Sequence, residues 1–235
     1  MKYTLPELSR MIDHTNLKTD AKVADMEKLC SEAKMYNFAM VAINQVQSAN
    51  CARLLKGSDV EVGAAIAFPL GQTSIESKIF ETANALENGA TEIDYVIHVG
   101  MVKDGNWDYI KKEMQGIVDI CKKNNVISKV IFENHYLTTE EKIKLCEIAN
   151  EVKPDFIKTS TGMAPTGATE QDIALMRKHA NDEIQVKASG GVRNADLFLA
   201  MLKNGATRVG TSSGISIINE IKERYFNDNQ EFLEL

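Results

Sequence analysis

The sequence predicts an α/β fold: a single-domain (β/α)8 TIM barrel spanning residues 1–235. Three observations predict it. Eight short strand-like runs alternate with helical patterns, at about 25–30 residues per unit, and such alternation calls for parallel pairing with right-handed crossovers. No Pro/Gly/Ser-rich linker divides the 235 residues, which hold only 4 prolines and 14 glycines. The rival doubly wound open sheet is expected to carry a G-x-G-x-x-G or G-x-x-x-x-G-K-[ST] turn, and neither occurs.

The strands are expected at Met11–Asp13, Phe38–Ile43, Glu61–Ala67, Glu92–Ile97, Lys129–Phe132, Phe156–Lys158, Gln185–Ala188 and Thr207–Gly210. Several are almost continuously apolar, such as Val62-Gly63-Ala64-Ala65-Ile66-Ala67-Phe68 and Val130-Ile131-Phe132, which marks strands covered on both faces. Between them, Asp20 is placed to cap a helix with apolar positions Val23, Met26, Leu29, Cys30 and Ala33. Thr73-Ser74 opens a helix over Ile75–Asn88, stopped by Gly89, and Asp108 leads into one over Tyr109–Asn124. Thr138-Thr139-Glu140-Glu141 reads as an N-cap with an acidic first turn. Thr169 or Glu170 starts a helix running to about Ala180. Asn194 caps another, closed by Asn204-Gly205, and the last runs from about Ile215 to Arg224.

Composition removes several function classes. With 27 basic and 33 acidic residues, a net charge of −6 and no basic block, nucleic-acid binding is not expected. The 44% hydrophobic and 26% charged content is that of an ordinary globular protein. No apolar run approaches the roughly 20 residues that span a bilayer, and Met1 to Ile12 has no signal-like pattern, so a cytoplasmic protein without membrane partners is expected. Cys30, Cys51, Cys121 and Cys146 form no C-x-x-C pair and read as buried, reduced thiols. His14, His98, His135 and His179 show no H-x-x-x-H or H-x-E spacing, so no metal is expected.

In this fold the chemistry sits where strands end and βα loops begin. Those ends read Asp13-His14-Thr15-Asn16, Asn44, Phe68-Pro69-Leu70-Gly71, Asp94 with His98 beyond it, and Glu133-Asn134-His135. They continue with Lys158-Thr159-Ser160-Thr161-Gly162, Lys187-Ala188-Ser189-Gly190-Gly191 and Gly210-Thr211-Ser212-Ser213-Gly214.

Lys158 and Lys187 close two adjacent apolar strands. A single such lysine snorkels or pairs with a carboxylate. Two neighbouring ammonium groups in a partly desolvated site disfavour each other's charge, so one pKa falls and that amine can attack a carbonyl to form a Schiff base. Asp94 is a carboxylate within an apolar strand and needs a cationic partner or a proton to move. Asp13 raises the same question, or else caps the turn that follows it. Ser189-Gly190-Gly191 allows close backbone approach, and Thr211-Ser212-Ser213-Gly214 opens a helix N-terminus; adjacent strand ends of this kind favour a phosphorylated ligand, with Gly162 able to add a further N–H.

Taken together, Ile12-Asp13-His14-Thr15-Asn16-Leu17-Lys18, Phe68-Pro69-Leu70-Gly71, Glu92-Ile93-Asp94, Asp104-Gly105-Asn106-Trp107, Ile157–Gly162, Val186–Arg193 and Gly210–Gly214 resemble the deoxyribose-phosphate aldolase family, in the family's order and over nearly the whole chain. The resemblance implies a class I aldolase with no cofactor that reversibly cleaves 2-deoxy-D-ribose 5-phosphate to D-glyceraldehyde 3-phosphate and acetaldehyde. It implies that Lys158 forms the Schiff base, that Lys187 lowers its pKa and moves protons, and that Asp94 is the acid/base. Asp13, Thr15 and Asn44 would support them. Thr161, Gly162, Gly190, Gly191, Arg193, Gly210, Ser212 and Ser213 would hold the phosphate. Its partners would be phosphosugar and aldehyde substrates and copies of itself, in a dimer or tetramer. An aldolase acting on a different phosphosugar is the alternative.

The sequence departs from the family pattern at Ala42 (often cysteine), His98 (commonly asparagine), Asn134-His135 and Met163. These changes leave the three catalytic positions intact and bear on aldehyde and sugar preference. The polar C-terminal segment ends Glu234-Leu235, so no catalytic tyrosine is expected there.

Overall fold

In the computed structural model, which describes residues 2–226 and 230–235, eight parallel strands close into a barrel in sequence order. They are β1 (Ile12–Asn16), β2 (Met40–Asn44), β3 (Glu61–Ile66), β4 (Glu92–Val96), β5 (Ile127–Ile131), β6 (Phe156–Lys158), β7 (Gln185–Ser189) and β8 (Arg208–Thr211), with β8 pairing back onto β1. All eight expected strands are present, with ends that differ by up to three residues.

Side chains alternate across each strand, and the two faces bury different things. The outer set, including Ile12, Val41, Ile43, Ile93, Tyr95, Val130, Ile157, Val186 and Val209, belongs to one apolar core beneath the helices. The inner set carries the charges: Asp13, Glu92, Asp94, Lys129, Lys158 and Lys187 are all at most 4% exposed. The floor is plugged by Met40, whose sulfur occupies the space a Cβ on Gly63 would fill, 2.2 Å away. Only glycine at position 63 admits that methionine.

The helices are α1 (Leu5–Ser9), α2 (Val23–Tyr36), α3 (Ser48–Leu55), α4 (Ile75–Glu87), α5 (Val99–Lys103), α6 (Trp107–Lys123), α7 (Thr139–Val152), α8 (Glu170–His179), α9 (Ala195–Lys203) and α10 (Gly214–Tyr225). Ser74, Thr138, Thr169 and Asn194 cap their helices as expected, each side chain accepting a backbone N–H of the first turn. One expected cap and one expected helix start are corrected. Lys22, not Asp20, occupies the N-cap of α2, and its N–H donates to the Asp25 carboxylate at 2.7 Å. The helix expected from Tyr109 after Asp108 starts at Trp107, capped by Asn106, and Asp108 lies in its first turn. The helices α1, α3 and α5 were not anticipated; at five to eight residues they are too short to show a clear period.

All four cysteines lie in helices, free and buried. No helix among the described residues is long and apolar enough to cross a membrane. Near the C-terminus, Leu233–Glu234 pairs antiparallel with Lys2–Tyr3, ahead of the helix that feeds the floor of the barrel.

Candidate active site

The strand ends bring the three expected catalytic residues into direct contact. Lys158 and Lys187 are register partners on adjacent parallel strands, so both point inward at one level. Lys158 Nζ donates to Asp94 Oδ2 at 2.7 Å, and Lys187 Nζ donates to the same oxygen at 2.6 Å. Lys187 also lies 2.5 Å from Asp13 Oδ2, an ion-pair contact outside hydrogen-bond direction. Asp13 therefore faces a cation and does not cap the turn after β1.

Burial alone would push the Asp94 carboxyl up, but Lys129, Lys158 and Lys187 outweigh it and hold the group well below the usual carboxylate range. Burial likewise opposes the charge of Asp13, and Arg208 with Lys187 overcomes it. Lys158 goes the other way. Burial lowers it, Asp94 raises it, and Lys187 and Lys129 lower it again, bringing the amine from 10.5 to about 8.

Above this cluster opens a cavity of about 440 Å³. Lys158 and Thr15 line it, together with Thr161, Gly162, Gly190, Gly191, Arg193, Gly210 and Ser212. Gly162, Gly190 and Gly191 have φ of +86°, +84° and +82°, the left-handed region where glycine carries no Cβ penalty. The turns after β6 and β7 touch through bare backbone: a Cβ on Gly190 would lie 3.0 Å from the Gly167 Cα. The turn after β6 is anchored from below, where the buried Glu133 carboxylate accepts from the Thr161 hydroxyl and from its N–H at 3.2 Å.

Asp13, Asp94 and Lys187 lie beneath the cavity rather than in its lining, reaching it through Lys158, and two further expected residues lie outside the lining and the cluster. Asn44 ends β2 ahead of a 3-10 turn, and Ser213 sits at the start of α10, its N–H donating to Thr211 Oγ1 at 2.9 Å. Of the positions that depart from the family pattern, only Met163 lines the cavity. His98 caps α5 and stacks edge-on against Tyr109, His135 contacts Thr166, and Asn134 points at the Met176 sulfur. Ala42 shares the inner face of β2 with Met40.

Lys129, Glu92 and Arg208 also join the cluster, which the sequence alone does not indicate. Lys129 reaches Asp94 Oδ1 at 2.8 Å and also pairs with Glu92. Arg208 Nε donates to Asp13 Oδ1 at 2.7 Å, and its Nη2 lies 3.2 Å from Glu92. The period-two rule that placed Asp94 inward also places Glu92, two residues earlier, on the same face. Lys18 and Lys28, at the cavity edge, were not expected there either. Among the described residues no group of three or more His, Cys, Asp or Glu side chains is arranged to hold a metal ion.

Known proteins resemble this chain over nearly its whole length. The chain is 57% identical over its full 235 residues to a deoxyribose-phosphate aldolase of Lactobacillus acidophilus, covering 99% of that protein. It is 52% identical to one of Bacteroides thetaiotaomicron, over 94% of this chain and 92% of that one. Among solved structures, a putative deoxyribose-phosphate aldolase from Coccidioides immitis superposes with a TM-score of 0.89 at 32% identity, over 94% of this chain and 88% of the other. The tetrameric deoxyribose phosphate aldolase of Aeropyrum pernix gives 0.86 at 30% identity, over 92% of each. The model of the DeoC/LacD family of aldolases matches residues 9–220, and the chain belongs to that family.

Proposed function

We propose that this chain, acting as one barrel domain over residues 1–235, reversibly cleaves 2-deoxy-D-ribose 5-phosphate to D-glyceraldehyde 3-phosphate and acetaldehyde by Schiff-base chemistry. One observation carries the reading: a cavity-lining lysine brought to about 8 shares an oxygen of Asp94 with a second lysine. A neutral amine attacks a carbonyl; an ammonium cannot.

Lys158 Nζ attacks C1 of the open-chain sugar. Proton transfer and loss of water give a protonated imine. The C3 hydroxyl then gives up its proton, the C2–C3 bond breaks, and its electron pair moves into the imine to leave an enamine. Glyceraldehyde 3-phosphate departs, the enamine carbon takes a proton, and hydrolysis frees acetaldehyde and Lys158. Asp94 and Lys187 move these protons with water. Three cations keep Asp94 ionised, so it relays a proton without retaining it.

The glycine turns after β6 and β7, with Gly210, Ser212 and Arg193, hold the phosphate through N–H groups, hydroxyl and guanidinium. Thr15 sits at the same wall; Asn44 and Ser213 act from just outside the lining. Remote binding energy at the phosphate positions the reacting carbon. Degradation of deoxyribose phosphate in the cytoplasm fits the four free thiols. Self-association fits the tetrameric Aeropyrum pernix relative.

Turnover of a panel of phosphosugars tests the assignment. Deoxyribose 5-phosphate is expected to show the highest kcat/KM; a clear preference for another phosphosugar would replace the substrate and keep the chemistry.

A further inference from the structure

The charges inside the barrel close into a ring. Asp13 meets Arg208, Arg208 meets Glu92, Glu92 meets Lys129, Lys129 meets Asp94, Asp94 meets Lys187, and Lys187 returns to Asp13. Signs alternate all the way round, so three carboxylates balance three cations. Each ring cation touches two carboxylates. Lys158 stands outside and touches only one, through an oxygen that Lys187 already holds.

Among the described residues, charged side chains that pair inside the barrel come from β1 (Asp13), β4 (Glu92 and Asp94), β5 (Lys129), β6 (Lys158), β7 (Lys187) and β8 (Arg208). The inward phase of β2 holds Met40, Ala42 and Asn44; that of β3 holds Glu61, Gly63 and Ala65, with Glu61 partly buried at the strand start and in no ion pair with the ring. The lower part of the ring is packed around an aromatic side chain. Lys129 Nζ and the Arg208 guanidinium lie 5.9 and 5.8 Å from the centre of the Phe156 ring, whose face attracts both cations. With the ring neutral, a proton on Lys158 is one positive charge in excess.

We propose that Glu92 and Arg208, at the floor of the barrel and outside the cavity lining, are positioning residues that decide through the charge balance of this ring whether Lys158 carries a proton. The proposal rests on the reading of Lys158 as the Schiff-base nucleophile. Removing the Arg208 charge leaves the interior one cation short, and Lys158 keeps its proton to higher pH. Removing the Glu92 charge leaves it one anion short, and Lys158 loses its proton at lower pH. One elementary charge within about 10 Å, at an effective dielectric constant of about 20, moves such a titration by about one pH unit.

The test is the pH dependence of acetaldehyde trapping on Lys158 by borohydride, read by peptide mass, alongside the acid limb of kcat/KM. The unaltered chain is compared with Arg208→Gln, Glu92→Gln, the double variant and Arg208→Lys, with circular dichroism to establish folding. The limb is expected to rise by about one unit in Arg208→Gln, fall by a similar amount in Glu92→Gln, return in the double variant and stay in place in Arg208→Lys. A purely structural role moves yield or melting temperature without shifting the two limbs in opposite directions. The proposal is overturned if folded single variants form the Lys158 adduct with limbs unmoved or displaced in the same direction. If Arg208→Gln does not fold, Glu92→Gln alone decides: a limb unmoved or raised overturns the proposal. Failure to trap anything on Lys158 in the unaltered chain removes the nucleophile assignment itself, and the proposal with it.

Discussion

Lys158 and Lys187 occupy one register position on β6 and β7 and donate to one carboxylate oxygen, Oδ2 of Asp94. Two ammonium groups on a single acceptor is an arrangement that favours losing a proton, and the partner that lines the cavity, Lys158, is the one brought down to about 8. At pH 7 a group with a pKa of about 8 is roughly 10% neutral, against roughly 0.03% for an ordinary lysine at 10.5. That difference is the chemical return on burying two lysines together.

The pH–rate profile follows from the same contact. Asp94 is held far below neutrality, so it does not titrate in the working range. The acid limb of kcat/KM therefore belongs to Lys158 and is expected near pH 8, with rates falling about tenfold for each unit below it. In Lys187→Leu the limb of the residual activity is expected to move upward, because a charge that disfavours the Lys158 proton has gone. A profile unchanged by that substitution removes the lysine coupling from the account.

Lys78 and Glu113 form a second buried ion pair outside the barrel, with no exposure on either side chain. Lys78 also donates to the Val96 carbonyl at 2.7 Å, and Glu113 accepts the His98 N–H at 3.1 Å, so the pair ties α4 and α6 to the end of β4. Lys78→Met leaves a buried carboxylate uncompensated and is expected to cost about 3–5 kcal/mol in denaturant unfolding. The acid limb is expected to stay near pH 8 in whatever fraction folds, since neither residue touches the ring.

Glu133 acts on binding more than on chemistry. Its carboxylate fixes Thr161, and Thr161 begins the glycine turn proposed to hold the phosphate. Glu133→Gln is expected to raise KM for deoxyribose 5-phosphate several-fold while kcat/KM for unphosphorylated 2-deoxyribose changes little. Equal losses on both substrates would assign Glu133 a general structural role instead.

Gly190 and Gly167 test the same wall from the other side. A Cβ at Gly167 would come within 2.1 Å of the Gly190 carbonyl oxygen, and Gly190 itself has φ +84°. Gly167→Ala must push the two turns apart, and steady-state kinetics are expected to show a raised KM with Schiff-base trapping preserved. An unchanged KM would mean that the turns yield elsewhere.

Much of this architecture is legible in the amino-acid order. The eight strands follow from β-branched runs such as Lys129–Phe132, and the catalytic pair follows from Lys158 and Lys187 ending two of them. The ring is less legible. Glu92, Lys129 and Arg208 look like ordinary charges near strand starts, and only closure of the barrel brings β8 against β1 and joins Arg208 to both Asp13 and Glu92. The shifted cap at Lys22 and the shifted helix start after Asn106 reflect competition among several capable residues within one short turn. His98 and His135, near the strand ends in sequence, turn to helix capping and loop contacts because their side chains leave β4 and β5 away from the cavity.

The most direct measurement of the central claim is borohydride reduction of the protein in the presence of acetaldehyde, followed by peptide mass spectrometry. A single reduced two-carbon adduct on Lys158 is expected, absent in Lys158→Ala and insensitive to EDTA. An adduct on Lys187 or Lys129 alone, or none at all, would contradict it.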